Sequence, residues 1–322
     1  MITARELAEL PPAAPGGSVV SVGVFDGVHL GHQAILGANL ARSRELRARP
    51  TVVTFREHPK QVLLGHSPRT LTSLEHRLEL FRRAGVELTL ALAFDEALRQ
   101  VSAEEFTHRV LLEALGARAF VLGFDSKFGR DRRGTAELLR TMGLDVEVVS
   151  KVEVGERAVS STAIREAVEL GDLASAERML GRPVSVLGTV VEGERLGRKL
   201  GFPTANLDLH HELHPPSGVY AGWGRILPPG PRGLSGNGPA RPAVANIGAR
   251  PTVDTPGPDR PRVEVHLLDF AGDLYGRDLE LEFLARLRDE RRFDSLAALR
   301  EQIARDVDAA RQLLAGVLGR RS

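Results

Sequence analysis

The sequence predicts an α/β domain built on a parallel sheet, followed by a small antiparallel β-barrel with a C-terminal helix. Three observations predict it. Up to about residue 182, short apolar runs alternate with segments of helical period, the pattern of βα units whose sheet is covered on both faces. From Val184 onward the runs are short, β-rich and separated by turns, as in small barrels. The chain then closes on one long amphipathic stretch, residues 294–318, which Asp294 or Ser295 is placed to cap. A length of 322 residues suits two domains of ordinary size, with boundaries expected at 1–182 and 183–322.

The first apolar run, residues 19–25, breaks at Asp26-Gly27, and residues 33–46 carry helical spacing, which reads as strand, turn, helix. Residues 51–55 form the second strand and lead into a loop ending at His58-Pro59. Thr72 with Glu75 makes a capping box for a helix that stops at Gly85. Strand three is 88–94. Ser102 with Glu105 repeats the capping box, and that helix ends at Gly116. Residues 119–123 are unbroken apolar, the mark of a buried parallel strand. A helix at 135–142, a strand at 146–149 and helices at 161–170 and 172–180 complete the first half. Strands are then expected at 184–192, 218–226, 243–247, 263–270 and 279–283, with a Pro- and Gly-rich surface loop at 227–242.

Composition narrows the chemistry. The formal net charge is +1, with one Trp and two Tyr, which supplies neither the basic field nor the stacking surface of a nucleic-acid binder. No apolar run approaches the roughly 18 residues that span a bilayer. Residues 1–10 lack the apolar core of a secretory signal and the chain has no cysteine, so a cytoplasmic protein with no membrane partner is expected. Neither a Walker A loop nor a G-x-G-x-x-G after the first strand is present.

The stretch Gly23-Val24-Phe25-Asp26-Gly27-Val28-His29-Leu30-Gly31-His32 sits where a parallel sheet binds ligands, beside a helix N-terminus whose N–H groups attract anions. Two imidazoles there can donate to phosphate oxygens and follow charge developing on them. Core or surface histidines, or a metal pair, are the alternatives, the last weakened by the lack of further ligands at helical spacing. Ser161 and Thr162 open a helix, with Arg165 one turn on; N-capping accounts for a hydroxyl but not for the arginine. Thr204 and Asn206 place oxygens two residues apart, on one face if the backbone is extended, and oxygens suit Mg²⁺; an ordinary turn is the alternative. Glu264 lies between Val263 and Val265, so it points away from the strand's buried face, toward solvent or a site.

The decapeptide from Gly23 resembles the HxGH element of the nucleotidyltransferase superfamily, and the longer GxFDGVHLGH is similar to bacterial proteins that are both riboflavin kinase and FMN adenylyltransferase. His58-Pro59, the loop Gly123 to Gly134 with Asp125, Phe128 and Arg130, and Val159 to Arg165 (VSSTAIR) resemble further elements of that family in the same order. GRKLGFPTANL (197–207) and VEVHLLDFAGDLYG (263–276) resemble its riboflavin kinase motifs. The resemblance implies a nucleotidyltransferase-type Rossmann-like domain followed by a riboflavin-kinase-like barrel. It implies the substrates riboflavin, FMN and ATP, the product ligands FMN and FAD, and Mg²⁺, with any homo-oligomer weak or transient.

By the same resemblance His29, His32, Arg165 and Glu264 are the catalytic residues, Glu264 as general base. Gly23, Phe25, Asp26, Gly31, His58, Pro59, Asp125, Ser161, Thr162, Gly201, Thr204, Asn206 and Arg288 bind substrates, Thr204 and Asn206 also holding the metal, and Arg288 is expected near the start of the last helix. Val24 stands where the family usually has Asn, and Glu192 where a basic residue is common. An adenylyltransferase with a non-catalytic flavin-binding barrel, and a nucleotide-binding regulatory module, are the alternative readings.

Overall fold

The computed structural model describes residues 1–193, 196–228, 238–248 and 262–321. Among them the chain forms two compact units, one of Met1–Ala163 with Met179–Gly181, the other of Ile164–Arg178 with the described residues from Arg182 onward.

In the first unit the elements run β1 (Ile2–Ala4), β2 (Ser18–Val22), α1 (Leu30–Leu46), β3 (Arg49–Phe55), α2 (Lys60–Leu64), α3 (Leu74–Ala84), β4 (Leu88–Leu92), α4 (Glu96–Gln100), α5 (Ala103–Phe106), β5 (Ala117–Gly123), α6 (Ala136–Thr141), β6 (Val146–Val149), the small hairpin β7 (Glu153–Val154) and β8 (Arg157–Ala158), and the start of α7 (Ser161–Glu169). The sheet order is β1-β4-β3-β2-β5-β6 and every pairing is parallel. Strand order reverses between β2 and β5, so the carboxyl end of β2 lies at the topological switch point, where open α/β sheets bind ligands. Successive side chains of each strand leave on opposite faces. Val52 and Ala91 accordingly pack with Leu36, Leu74, Leu78 and Phe81, while Val53, Phe120 and Leu122 pack with Phe106, Leu111 and Leu139.

Several boundaries differ from the sequence reading for local reasons. The first strand stops at Val22, and α1 begins at Leu30 because the His29 side chain caps it. Ser73, not Thr72, caps α3, accepting from the His76 N–H at 3.2 Å; the Thr72 hydroxyl is engaged elsewhere. Ser102 does cap α5, but from Thr107 to Ala114 the helix takes π geometry, and the Thr107 hydroxyl bonds back to the Ala103 carbonyl at 2.7 Å. Strand β1 is too short to show any periodicity.

After α8 (Leu173–Leu180) the second unit runs through β9 (Val184–Val191), α9 (Leu196–Leu200), β10 (Ala205–Asp208), β11 (Gly218–Ile226), β12 (Ala240–Gly248), β13 (Arg262–Leu267), β14 (Asp278–Arg288) and α10 (Leu296–Arg321). Six strands close an antiparallel barrel in the order β10-β13-β12-β11-β14-β9. Tyr220 and Phe283 are buried and meet edge to face at 5.5 Å, while the alternate residues Val219, Ala221 and Trp223 pack on Val307, Ala310 and Leu314 of α10. Of the expected loop 227–242, residues 229–237 lie outside the described residues, and Ala240–Pro242 belong to β12. The alternation of Leu279, Leu281 and Phe283 carries β14 on to Arg288, so Arg288 ends the strand that precedes the last helix.

Candidate active sites

The turn from β2 to α1 is compact and almost wholly buried: Phe25, Asp26, Val28 and His29 are each less than a tenth exposed. The His29 Nδ1 accepts from the His32 N–H at 3.4 Å, which leaves the ring proton of neutral His29 on Nε2. The two imidazoles stack, with centroids 3.6 Å apart and planes 16° from parallel. A Cβ on Gly31 would lie 3.2 Å from His29 Cε1, so glycine keeps the space beside that ring open. Phe25 packs on His32 at 5.1 Å. The Asp26 carboxylate accepts from the Thr72 N–H at 3.1 Å, its carbonyl accepts from the Ser161 hydroxyl at 2.9 Å, and the Gly27 N–H donates to the Thr72 hydroxyl at 2.9 Å. Gly23, Phe25, Asp26, His29, Gly31, His32 and Ser161 are therefore brought together at the switch point.

Other predicted residues lie on neighbouring loops of this unit. His58 accepts from the Lys60 N–H through Nδ1 at 3.2 Å, and Pro59 precedes α2. Asp125 is exposed after β5, whereas Phe128 is buried against Phe106 at 5.7 Å. The cap of α7 is the Ser160 hydroxyl, which accepts from the Ala163 N–H at 3.2 Å. That leaves the Ser161 hydroxyl to Asp26, with Thr162 exposed on the first turn of α7 and Arg165 farther along the helix, in the second unit.

The sequence reading missed Thr72 and Arg77 here. Arg77 is buried and donates to the Val24 carbonyl at 2.6 Å and the Phe55 carbonyl at 2.9 Å. A signal was present, because an arginine at 77 shares a helix face with the apolar residues Leu74, Leu78 and Phe81.

In the second unit a cavity of about 350 Å³ takes in Gly197, Thr204, Asn206, Glu264 and Arg288. Its wall follows from strand register. Asn206 stands opposite Glu264, Glu264 opposite Asn246, Asn246 opposite Val219, and Val219 opposite Arg288. Directly paired residues share a face, so one row across five strands lines the cavity on the barrel's outer side. Val263 and Val265 point the other way and are buried, which answers the open orientation of Glu264. Arg288 is held from α10: its Nε and Nη2 donate to the Asp306 carboxylate at 3.0 and 2.8 Å, and Gln302 donates to the same carboxylate at 2.8 Å. The His266 Nδ1 lies 2.8 Å from the Pro203 carbonyl and braces the segment that carries Thr204. Asp306 was not singled out from the sequence, and His266 entered it only within the motif 263–276. Gly201, at φ 89°, turns the chain between α9 and Phe202.

The comparisons agree with this pair of units. A family model for FAD synthetase matches residues 12–163 and one for riboflavin kinase matches 180–314. A bifunctional riboflavin kinase/FMN adenylyltransferase of Pseudomonas fluorescens is 42% identical over 303 residues, covering 93% of this chain and 94% of its own. The chain belongs to the bifunctional riboflavin kinase/FMN adenylyltransferase family. Relatives of that description from Escherichia coli K12 (37% identical, 96% of each chain) and Bacillus subtilis (34% identical, 91% of each) match along nearly the same length. A crystal structure described as a macrolide-efflux protein from Streptococcus pneumoniae superposes with a TM-score of 0.77 at 32% identity, covering 96% of this chain and 98% of that one. Among the described residues no helix is long and apolar enough to cross a membrane. The chain is thus a transferase of FMN and FAD biosynthesis, with riboflavin kinase and FMN adenylyltransferase activities that use ATP.

Proposed function

We propose that the two activities run at two separate sites, adenylyl transfer at the β2–α1 turn and riboflavin phosphorylation at the barrel cavity, within domains of residues 1–182 and 183–322. The observation that carries this reading is the row of Asn206, Glu264 and Asn246 along the cavity wall, with Thr204 and Arg288 in the same cavity. Glu264 is the carboxylate of that row. It takes the proton of the riboflavin 5′-hydroxyl as that oxygen attacks the γ-phosphorus of ATP, forming FMN and releasing ADP; general base catalysis of this kind contributes about 10²- to 10⁴-fold.

The hydroxyl of Thr204 and the amide oxygen of Asn206, beside a carboxylate, are the hard oxygen donors that Mg²⁺ takes together with substrate phosphate. Bound there, the ion would neutralise phosphate charge. Among the described residues no group of three or more His, Asp or Glu side chains is arranged to hold a metal. Thr204 and Asn206 would hold it together with the nucleotide phosphates.

At the other site an FMN phosphate oxygen attacks the α-phosphorus of ATP, an O–P bond forms, and pyrophosphate leaves. No covalent intermediate on the protein is needed, because positioning and charge neutralisation supply the rate. The His29 Nε2–H and the His32 ring donate to phosphate oxygens beside the N-terminus of α1, in the space that Gly31 and Gly23 leave. Thr162 and the backbone N–H of Ser161, at the start of α7, hold the triphosphate, while His58, Pro59 and Asp125 border the nucleotide and Asp26 and Phe25 keep the turn in shape. The chain works in the cytoplasm on riboflavin, FMN and ATP, without nucleic acid or membrane, and any self-association is weak or transient.

Purified protein supplied with riboflavin, ATP and Mg²⁺ is expected to form FMN and then FAD, and EDTA to stop both steps. If supplied FMN became FAD while riboflavin stayed unphosphorylated, the kinase assignment of the barrel would fail.

A further inference from the structure

Helix α3 and the residues leading into it grip the β2–α1 turn at four consecutive positions. The Val24 carbonyl accepts from Arg77 Nη1 at 2.6 Å and from the Thr54 hydroxyl at 3.1 Å. The Phe25 ring meets Phe81 edge to face at 5.4 Å. Asp26 and Gly27 are both bonded to Thr72. The turn needs such a grip, because Phe25 and Val28 hold φ at 55° and 39°, a left-handed conformation that side chains with a Cβ resist.

Arg77 is the central contact of the grip. Its guanidinium belongs to a residue only 4% exposed, and besides Val24 it donates to the Thr54 hydroxyl at 3.2 Å and to the carbonyls of Phe55 at 2.9 Å and Arg56 at 3.3 Å. One planar fork thus ties the carboxyl ends of β2 and β3 together. Strand-end carbonyls turned toward the switch point would repel phosphate. The fork holds them in place and sets a fixed positive charge behind the residues that carry the histidines. Any slack at Val24 passes to Phe25, whose ring packs on His32.

We infer that Arg77 is a positioning residue for adenylyl transfer: it fixes the Val24–Phe25 backbone and, through the Phe25 ring, the orientation of the stacked His29–His32 pair. This rests on assigning adenylyl transfer to those two histidines. Val24, whose side chain departs from the family's usual Asn, contributes to this grip through its carbonyl, which any residue there would supply.

The test uses Arg77→Lys and Arg77→Met in the full chain, with kcat and KM for FAD formation, the rate of FMN formation, and the ¹⁵N-edited ring signals of His29 and His32 in the ligand-free protein. A lysine keeps the charge but not the fork. The expected result for Arg77→Lys is a loss of about 10- to 100-fold in kcat for FAD formation, since misplacement of about 1 Å suffices for that. KM for ATP and the rate of FMN formation stay close to wild type, and the ring signals of the pair move. Arg77→Met is expected to lose more. If Arg77→Met does not fold, Arg77→Lys alone decides the matter. A folded Arg77→Lys with wild-type kcat for FAD formation overturns the inference, and so does lost activity with unmoved ring signals, which would leave Arg77 only a stabilising role. If His29→Ala and His32→Ala still made FAD at full rate, the histidine assignment would fail, whereas moved ring signals in Arg77→Lys would still register the grip on the pair.

Discussion

Replacing Asp306 with leucine separates the packing of the barrel cavity from its chemistry. Asp306 is 5% exposed, takes hydrogen bonds from Arg288 at 2.8 to 3.0 Å, and takes another from Gln302. Removing one partner of a buried ion pair costs about 3–5 kcal/mol. The Arg288 side chain remains 20% exposed and can recover some hydration, so the lower end, about 3 kcal/mol, is expected. For a unit of this size that corresponds to a fall of roughly 10 °C in its melting temperature. The single Trp makes the measurement selective, because Trp223 is buried in the core between the barrel and α10. Thermal unfolding followed by its fluorescence reads the second unit. FMN formation is expected to fall with Asp306→Leu, while conversion of supplied FMN to FAD is retained at temperatures where the unit is folded. The double variant Arg288→Met/Asp306→Leu, with no charge left unpaired, is expected to regain at least half of the lost stability. An unchanged melting temperature in the single variant, or a double variant less stable than the single, would refute the reasoning.

Two further expectations concern single side chains. A Cβ at Gly193 would fall 2.1 Å from the Asn206 Nδ2, so Gly193→Ala should push that amide out of the cavity row and lower FMN formation by about tenfold or more, with FAD formation from FMN unaffected; steady-state rates of the two steps check it. Glu79 is half-buried, which raises its pKa, but hydrogen bonds and charge from Arg82 and Arg83 outweigh burial and leave it below the usual carboxylate value. The unfolded chain then takes up the proton first, so this stabilisation is complete above the unfolded value of about 4.3 and is lost as pH falls through the lower folded value. Urea unfolding between pH 3 and pH 6 should show a shallower acid-side loss in Glu79→Gln than in wild type, and equal slopes would contradict the sign.

The parallel sheet and the barrel were legible because burial on one or both faces writes a period into the sequence. The β2–α1 turn was legible because glycine and histidine fall where the chain must reverse beside a ligand. The supporting residues were harder to read. Arg77 sits on an apolar helix face, yet a cation within RLELFRR reads as solvated until its acceptors on two strand ends are seen. Asp306 meets Arg288 from 18 positions away, and no local pattern announces that pairing. Strand β10 is four residues long, and its signal was the spacing of Thr204 and Asn206; its pairing with β13 is what turns that spacing into a row with Glu264. Thr72 was read as a cap because Glu75 follows at the right distance. The next hydroxyl, Ser73, satisfies the helix equally well and leaves Thr72 to hold the turn.

The separation of the two chemistries is tested most directly by measuring both steps in one pair of variants. His32→Ala should abolish FAD formation from FMN while leaving FMN formation from riboflavin at the wild-type rate, and Glu264→Ala should do the reverse, each in a folded protein. If either variant, still folded, lost both activities or neither, the assignment of one reaction to the β2–α1 turn and the other to the barrel cavity would be contradicted.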